Sequence, residues 1–91
     1  MSVRIGDIEF EHASYYEVGD VLYLHNGSPS DAVDFDGSPE GHHTRYDAAG
    51  RLVGITIVNA RRILEREGVI VVTLPDRRLE ARDLGDALQA A

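Results

Sequence analysis

The residues of this chain that could bind a metal are its histidines. The four histidines are His12, His25, His42 and His43. A zinc site needs three or four converging ligands, and adjacent residues of a strand point to opposite faces, so His42 and His43 cannot easily share one ion. His12 and His25 are neighbours only if their strands pair. We therefore predict no metal site and no cofactor. The alternative is a small-molecule or metal-binding module built on His12, His25 or His42.

A group of carboxylates lies in a loop rich in Gly, Pro, Ser and Asp. The stretch "DAVDFDGSPE" contains Asp31, Asp34, Asp36 and Glu40. It lacks the first alternate acidic position and the twelfth-position glutamate of a calcium-binding loop. We interpret it as a solvated acidic loop whose four carboxylates could contact a protein partner.

Catalytic chemistry finds little support in the residue types. The chain has no cysteine, which excludes thiolate nucleophiles, disulfides and cysteine-ligated zinc. It contains no Gly-x-Ser-x-Gly elbow, no phosphate loop and no dinucleotide fingerprint. We predict a non-enzymatic protein without catalytic residues. Asp20, which precedes an apolar strand, is the carboxylate whose surroundings matter most, and we expect it to cap a turn.

The charge balance bears on the partners. Sixteen Asp and Glu stand against nine Arg, with no Lys, and the formal net charge is −7. Phosphate-backbone binding needs clustered cations, so we expect no nucleic-acid partner, whereas an acidic surface suits a basic protein. No apolar run approaches the ~20 residues of a membrane span. The first residues, "MSVRIGDIEF", lack the pattern of a secretory signal, so we expect a cytoplasmic protein without a membrane partner.

Alternating apolar residues predict hairpins in the first half of the chain. Residues 3–10 form one hairpin that turns at Gly6. A second hairpin turns at residues 17–20 and continues as the strand 21–25. The loop that follows contains a short strand at residues 32–35.

Strand 21–25 is apolar on both sides. Val21 and Tyr23 face one way, and Leu22 and Leu24 face the other. A strand that is apolar on both faces is typical of a sheet buried on both sides. We therefore expect other elements to cover each side of this strand.

The stretch "YDAAGRLVGITIV" joins two further strands through a turn. Strands are predicted in "HHTRYD" and "RLVGITIV", and the intervening "DAAG" matches a type I turn followed by a glycine bulge. The Asp47 side chain can hydrogen-bond the turn, and Gly50 suits a left-handed position. We assign Asp47 and Gly50 a structural role.

Two helices are predicted in the second half of the chain. Asn59 is a good N-cap for "ARRILERE", with Ala60, Ile63 and Leu64 on one side, and Gly68 ends the helix. The β-branched "VIVVTL" is a strand, "PDRR" turns, and the tail "EARDLGDALQAA" places its apolar residues at helical spacing. Those tail residues are Ala81, Leu84 and Leu88.

These elements predict an α+β fold. It is a mostly antiparallel sheet of hairpins with a short internal helix and a C-terminal helix. Residues 1–91 read as a single domain, since no linker divides the chain. The strand at residues 69–74 is the sheet edge through which we expect a homodimer.

Two segments together resemble a small bacterial family, the YuzE-like domain of unknown function number 2283. In "YYEVGDVLYL" the matching residues are Tyr15, Asp20, Leu22 and Tyr23. In "RYDAAGRLVGITIVNA" they are Tyr46, Asp47, Gly50, Leu52, Val53, Gly54, Ile55 and Ile57. Tyr16 and Thr56 stand where the family usually has Asp and Glu. The resemblance covers roughly residues 8–65, which leaves a strand-helix extension at residues 66–91.

The resemblance implies a compact, mostly β domain with no established activity. Some members of the family lie beside genes for small toxin-like ribonucleases, which suggests an antitoxin or immunity role. Such toxins are often basic, and charge complementarity speeds encounter with an acidic protein. We therefore expect a protein-interaction module, an antitoxin-like partner of a basic toxin, with the acidic loop from Asp31 to Glu40 and the C-terminal helix as its contact surfaces. No catalytic residue carries over from the family.

Overall fold

The computed structural model describes residues 2–84 and 86–88. Within these residues it has nine strands: β1 (Val3–Ile5), β2 (Ile8–Phe10), β3 (His12–Tyr16), β4 (Val21–His25), β5 (Asp34–Gly37), β6 (His43–Tyr46), β7 (Leu52–Val58), β8 (Ile70–Thr73) and β9 (Arg78–Ala81). The same residues form one short 3-10 helix (Pro29–Asp31) and one α-helix, α1 (Ala60–Glu67). The α+β class with a dominant antiparallel sheet is confirmed. In these ranges no helix is long and apolar enough to cross a membrane.

A five-stranded antiparallel sheet is the centre of the fold. Its strand order is β3-β4-β7-β6-β5, so β3 and β5 are its edges. The predicted hairpins around residues 17–20 and around the "DAAG" turn supply the β3–β4 and β6–β7 pairings. The strand expected at residues 32–35 forms two residues later, as β5, where it pairs with β6.

The two faces of this sheet differ in how far their side chains are buried. On the inner face Leu22 and Leu24 of β4 and Ile55 and Ile57 of β7 are fully buried. The elements that supply the rest of this core are the β1–β2 hairpin, α1, the β8–β9 hairpin and the tail residues Leu84, Ala87 and Leu88. On the other face Tyr23 keeps 41% of its surface exposed. The expectation that both sides of strand 21–25 are covered is therefore wrong.

The strand β9 replaces the start of the predicted tail helix. Leu79 and Ala81 are buried and pair with β8, opposite Val72 and Ile70. Ala81 therefore belongs to a strand and not to a helix. The segment "RLEA" alternates apolar and polar residues as well as having good helix formers, and pairing with the β-branched β8 decides between the two patterns.

The tail after β9 lies on the core. Leu84, Ala87 and Leu88 are buried, and the Leu88 N–H donates to the Leu84 carbonyl over 3.1 Å, as in one turn of helix. The rest of the predicted C-terminal helix, at residues 85 and 89–91, lies outside the described residues. The buried apolar side chains of this tail are not available as a contact surface.

The internal helix α1 begins and ends where the sequence predicts. Gly68 is left-handed (φ 75°) and donates its N–H to the Leu64 carbonyl, as expected of a C-terminal glycine. Asn59 precedes the helix but is itself left-handed (φ 59°), and its side chain makes no capping hydrogen bond. The first turn of α1 is therefore capped from elsewhere in the chain.

Candidate interaction face

The outward side chains of the five-stranded sheet form a surface that we call the open face. They alternate along each strand with the inner-face residues, because successive side chains of a strand point to opposite sides. The open face comprises His12, Ser14, Tyr16, Val21, Tyr23, His25, Phe35, His43, Arg45, Gly54, Thr56 and Val58. Tyr16, Tyr23 and Phe35 are 55%, 41% and 67% exposed. Large aromatic side chains therefore lie in solvent on this surface.

One row of residues crosses all five strands of the open face. The register pairs His12 with His25, His25 with Gly54, Gly54 with Arg45, and Arg45 with Phe35. The two imidazoles are stacked, with ring centroids 4.6 Å apart and ring planes 21° from parallel. The pairing that His12 and His25 needed in order to be neighbours is thus present.

Arg45 lies over Gly54. A Cβ atom on Gly54 would be 2.8 Å from the Arg45 Nε and 3.2 Å from the Leu24 carbonyl oxygen. The missing side chain at Gly54 therefore leaves room for the guanidinium next to the sheet backbone. Sequence reasoning did not find this contact. The signal for it was a glycine inside the alternating pattern of strand 51–58, which often marks a close approach.

The charges of the open face differ from those of the whole chain. None of its residues is a carboxylate, although the chain has sixteen Asp and Glu. Arg45 is its one arginine, and the ion pairs within the described ranges do not include it. Exposed carboxylates lie at the edges of the sheet. Glu11 and Glu17 flank β3 at the rim of the open face, whereas Asp34 and Asp36 on the edge strand β5 point to the other side, away from Phe35. The face itself carries aromatic side chains and one cation, with Tyr23 and Arg45 on interior strands and Tyr16 and Phe35 on edge strands.

The four carboxylates predicted as partner contacts do not form one cluster. Asp34 and Asp36 are exposed on β5, and each accepts the N–H of the residue that follows it. Asp31 accepts a backbone N–H within the 3-10 turn, over 3.1 Å. Glu40 is committed elsewhere, because it accepts the N–H and the hydroxyl of Thr73 over 2.9 and 2.5 Å and ties the β5–β6 turn to β8. Asp34 and Asp36 alternate with Phe35 and pair with Tyr46 and Thr44, so they point away from the open face.

Asp20 caps α1 and not only a turn. Its two carboxylate oxygens accept the backbone N–H groups of Arg61 and Arg62 over 2.7 and 3.1 Å, and its carbonyl accepts that of Ala60 over 3.1 Å. The Tyr15 hydroxyl donates to the same carboxylate over 2.7 Å. One residue of the β3–β4 turn thus satisfies the first free N–H groups of the helix.

The protonation states in this cluster follow from those contacts. Burial alone would raise the pKa of Asp20, but the hydrogen bonds from Tyr15 and from the helix N–H groups outweigh it and hold the pKa below its ordinary value of 3.8. Burial and the bond to Asp20 raise the pKa of Tyr15 above 10.0. The Arg61 guanidinium lies 5.2 Å from the Tyr15 ring centroid and donates to the Leu88 carbonyl. The ionised carboxylate therefore joins the sheet to α1, and the Arg61 side chain joins α1 to the tail.

His42 is a core residue. Its side chain is 1% exposed, and its Nδ1 accepts the Val58 N–H over 3.1 Å. Burial lowers the pKa of His42 below 6.5, although the nearby Glu40 opposes this shift. No three of the metal-binding side chain types come together within residues 2–84 and 86–88. Of the histidines considered for a site, only His12 and His25 are near each other at the surface.

The turn between β6 and β7 has the contacts that its sequence suggests. The Asp47 carboxylate accepts the N–H groups of Ala49 and Arg51 over 3.0 and 2.9 Å, which lowers the pKa of Asp47. The Gly50 N–H donates to the Asp47 carbonyl over 2.9 Å, and Gly50 is left-handed, with φ 82°. This turn brings Arg45 opposite Gly54, so it positions the centre of the open face.

A protein-family model, "Protein of unknown function (DUF2283)", matches residues 12–61, which is more than half of the chain. Neither the curated proteins nor the solved structures compared with the chain include a match. The matched range begins with β3 and ends in the first turn of α1. It therefore contains all five strands of the central sheet together with Asp20 and the N–H group of Arg61 that it binds.

Proposed function

The chain belongs to the DUF2283 family, and on that premise we propose that it is a non-enzymatic protein-interaction module. It binds a basic protein through the open face. The observation that carries this proposal is the open face itself, an uncovered aromatic surface without carboxylates in an otherwise acidic protein. An antitoxin-like role, in which the partner is a basic toxin, is the biological form that we propose for it.

The open face has residue types that contribute most to the binding energy of protein interfaces. Exposed tyrosine, phenylalanine and arginine side chains are enriched among the residues whose truncation most weakens protein interfaces. Tyr23 and Phe35 provide apolar area, and Arg45 provides a cation held against the sheet over Gly54. The backbone under these residues is held in the sheet ladder, so binding costs little ordering.

The rim explains the preference for a basic partner. Glu11 and Glu17 are exposed at the two ends of β3, and Asp34 and Asp36 are exposed on the edge strand β5 with their side chains toward the other side of the sheet. The chain carries a net charge of −7. Charges at the rim of an interface act mainly on the rate of encounter and on the choice of partner. A partner with Lys and Arg around an apolar centre is complementary to both zones.

The non-enzymatic part of the proposal rests on the contacts of the ionisable groups whose pKa values are shifted. There are five such groups within the described residues. Asp20, Glu40, Asp47 and His42 each accept at least one backbone N–H, and Tyr15 donates its hydroxyl to Asp20. Groups with perturbed pKa values can mark catalytic sites, but here the same groups hold a helix, a turn and strand ends in place. Structural contacts within the fold therefore account for the shifted pKa values of these groups.

Site-directed photo-crosslinking in the source organism tests the proposal. A benzophenone amino acid replaces Tyr23 on the open face in one variant and the exposed Glu65 of α1 in the matched control. We expect a basic protein to be crosslinked at position 23 and not at position 65. The same proteins at both positions, or none at position 23, would contradict the proposal.

The identified partner then allows three quantitative checks. Tyr23→Ala should weaken binding by about 2 kcal/mol or more if Tyr23 lies at the centre of the interface. Asp34→Asn with Asp36→Asn should mainly slow association, with the largest effect at low salt. In the antitoxin-like form, the partner alone arrests growth, co-expression of this chain restores growth, and Tyr23→Ala reduces that rescue.

A second copy of the chain is the competing occupant of the open face. The edge suspected from sequence, residues 69–74, includes β8, which pairs with β9 and has its Thr73 N–H bonded to Glu40. If the chain forms a homodimer, we therefore expect its interface at β3 or at the open face. Sedimentation of the purified protein at increasing concentration measures this. A dimer that Tyr23→Ala dissociates would replace the basic partner with a self-interface.

A further inference from the structure

We propose that His12 and His25 form a two-histidine binding site for a divalent transition metal on the open face. The site takes Cu²⁺ most tightly and Ni²⁺ or Zn²⁺ less tightly. It does not depend on the proposed protein partner, and metal binding can be tested with the chain alone.

The backbone brings the two imidazoles together. His12 of β3 and His25 of β4 are directly opposite in the antiparallel register. Directly opposed residues of such a pair have Cβ atoms about 4.5–5.5 Å apart, and here the ring centroids are 4.6 Å apart. His12 is exposed and His25 is half-buried, so solvent reaches the pair.

The spacing of the rings suits chelation after a small side-chain movement. A metal that bonds each imidazole nitrogen at about 2.0–2.1 Å needs its two donor atoms roughly 3–4 Å apart. Two nearly parallel rings on adjacent strands reach this separation by rotating about their side-chain bonds. The ladder between β3 and β4 already fixes the backbone positions, so little ordering is lost when a metal binds.

The donor set decides which metals fit. Imidazole nitrogen suits Zn²⁺, Ni²⁺ and Cu²⁺, and Cu²⁺ forms the most stable complexes in this series. The described residues bring no third metal-binding side chain to the pair, so water or an added ligand would fill the other coordination positions. Such an open site is expected to bind more weakly than a structural zinc site with four protein ligands.

Protons compete with the metal at this site. A histidine binds metal in its neutral form, so acidifying the solution should lower the affinity. His43 provides a matched control on the same face. It is exposed on β6, two strands from β4 and level with Tyr23, which places it about 12 Å from His25.

The test is titration of the full chain with Cu²⁺, followed by calorimetry and by electron paramagnetic resonance. We expect one Cu²⁺ per chain with nitrogen hyperfine structure from two imidazoles. His12→Ala and His25→Ala should each lower the affinity by about tenfold or more, whereas His43→Ala should change it by less than about twofold. Far-ultraviolet circular dichroism without metal checks that each variant folds, and His12→Asn and His25→Asn serve if an alanine variant does not.

Three results would overturn the proposal of a metal site at His12 and His25. The first is equal Cu²⁺ affinity in the wild type and in both His12 and His25 variants. The second is an equal loss in the His43 variant, which would mean general binding by surface histidines. The third is a spectrum with a single coordinated nitrogen. Failure of the crosslinking experiment at Tyr23 would leave these measurements unaffected, so the two proposals fail separately.

Discussion

The two faces of the central sheet differ in residue type and in how far they are covered. On β4 the inner residues Leu22 and Leu24 are fully buried, whereas the outer residue Tyr23, between them in the chain, is 41% exposed. The inner face receives two hairpins, α1 and the tail. The outer face receives none of the described elements. The faces therefore differ both in the covering elements and in residue type, with aliphatic side chains inside and tyrosine, histidine and arginine side chains outside.

The family match sharpens this comparison. Residues 12–61 contain the sheet with both of its faces, whereas the β1–β2 and β8–β9 hairpins that cover the inner face lie outside that range. The open face thus belongs wholly to the family unit. A surface that a protein leaves apolar and uncovered commonly marks an interaction site, which is how we interpret the open face.

The largest expected difference is between two single truncations, one on each face of β4. Leu24→Ala removes a fully buried side chain and should lower the free energy of unfolding by about 2–5 kcal/mol. Tyr23→Ala removes only partial burial and cross-strand contacts, so its cost should stay below about 1 kcal/mol. Urea unfolding of both variants measures the two values. Equal losses would mean that the outer face is also covered in solution.

The second effect tests how the sheet is joined to the helix that covers its inner face. Asp20→Ala removes the acceptor of two helix N–H groups and of the Tyr15 hydroxyl, which should cost about 1–3 kcal/mol. Asn59→Gly is the control, because Asn59 is left-handed and its side chain caps nothing. We expect it to change stability by less than about 0.5 kcal/mol.

The contribution of Asp20 should also depend on pH. Its pKa in the folded protein is lower than its ordinary value of 3.8. A carboxyl group whose pKa is lower in the folded state than in the unfolded state stabilises the fold at pH values above the unfolded-state pKa. This stabilisation is lost as the pH falls through the folded-state pKa. The stability difference between wild type and Asp20→Asn should therefore shrink below about pH 4. A difference that is constant from neutral to acid pH would show that the carboxylate charge does not matter.

Local patterns predicted more of this fold than of its long-range contacts. The hairpin turns, the turn residues Asp47 and Gly50, and the bounds of α1 follow from spacing and residue type within a few positions. The capping role of Asp20 depends on residues 41 and 42 positions away, which no local pattern contains. The β9 strand was missed because "RLEA" fits two periodicities. The burial of just one face of the sheet is also a long-range property, because it depends on which distant elements fold onto the sheet.

A smaller effect is expected in the turn that sets the register of β6 and β7. Gly50→Val should cost about 1–2 kcal/mol, because a β-branched residue resists the left-handed backbone at φ 82°. No atom lies within 4 Å of the position that its Cβ would take, so the cost is conformational and not a clash. Ala49→Val in the same turn, where φ is not positive, should change stability by less than about 0.5 kcal/mol. Equal costs would argue for a steric effect instead.

The smallest effect distinguishes two adjacent histidines on opposite sides of the sheet. His42 is buried and its Nδ1 accepts the Val58 N–H, whereas His43 is exposed on the open face. Burial lowers the pKa of His42 below 6.5, so its contribution to stability is complete above about pH 6.5 and declines as the pH falls toward the folded value.

His42→Asn keeps an acceptor for Val58, because the Asn Oδ1 takes the position of the His Nδ1, but it removes the titrating group. Stability should therefore vary less than in the wild type between about pH 7 and 5. His43→Asn is the matched control, since its side chain lies in solvent. Thermal unfolding of the three proteins across this range measures the slopes. A flattened slope in the His43 variant, with an unchanged one in the His42 variant, would reverse the assignment of buried and open faces at this end of β6. The two residues are adjacent in the chain, so a difference between the two variants reports the face on which each histidine lies and not its position in the sequence.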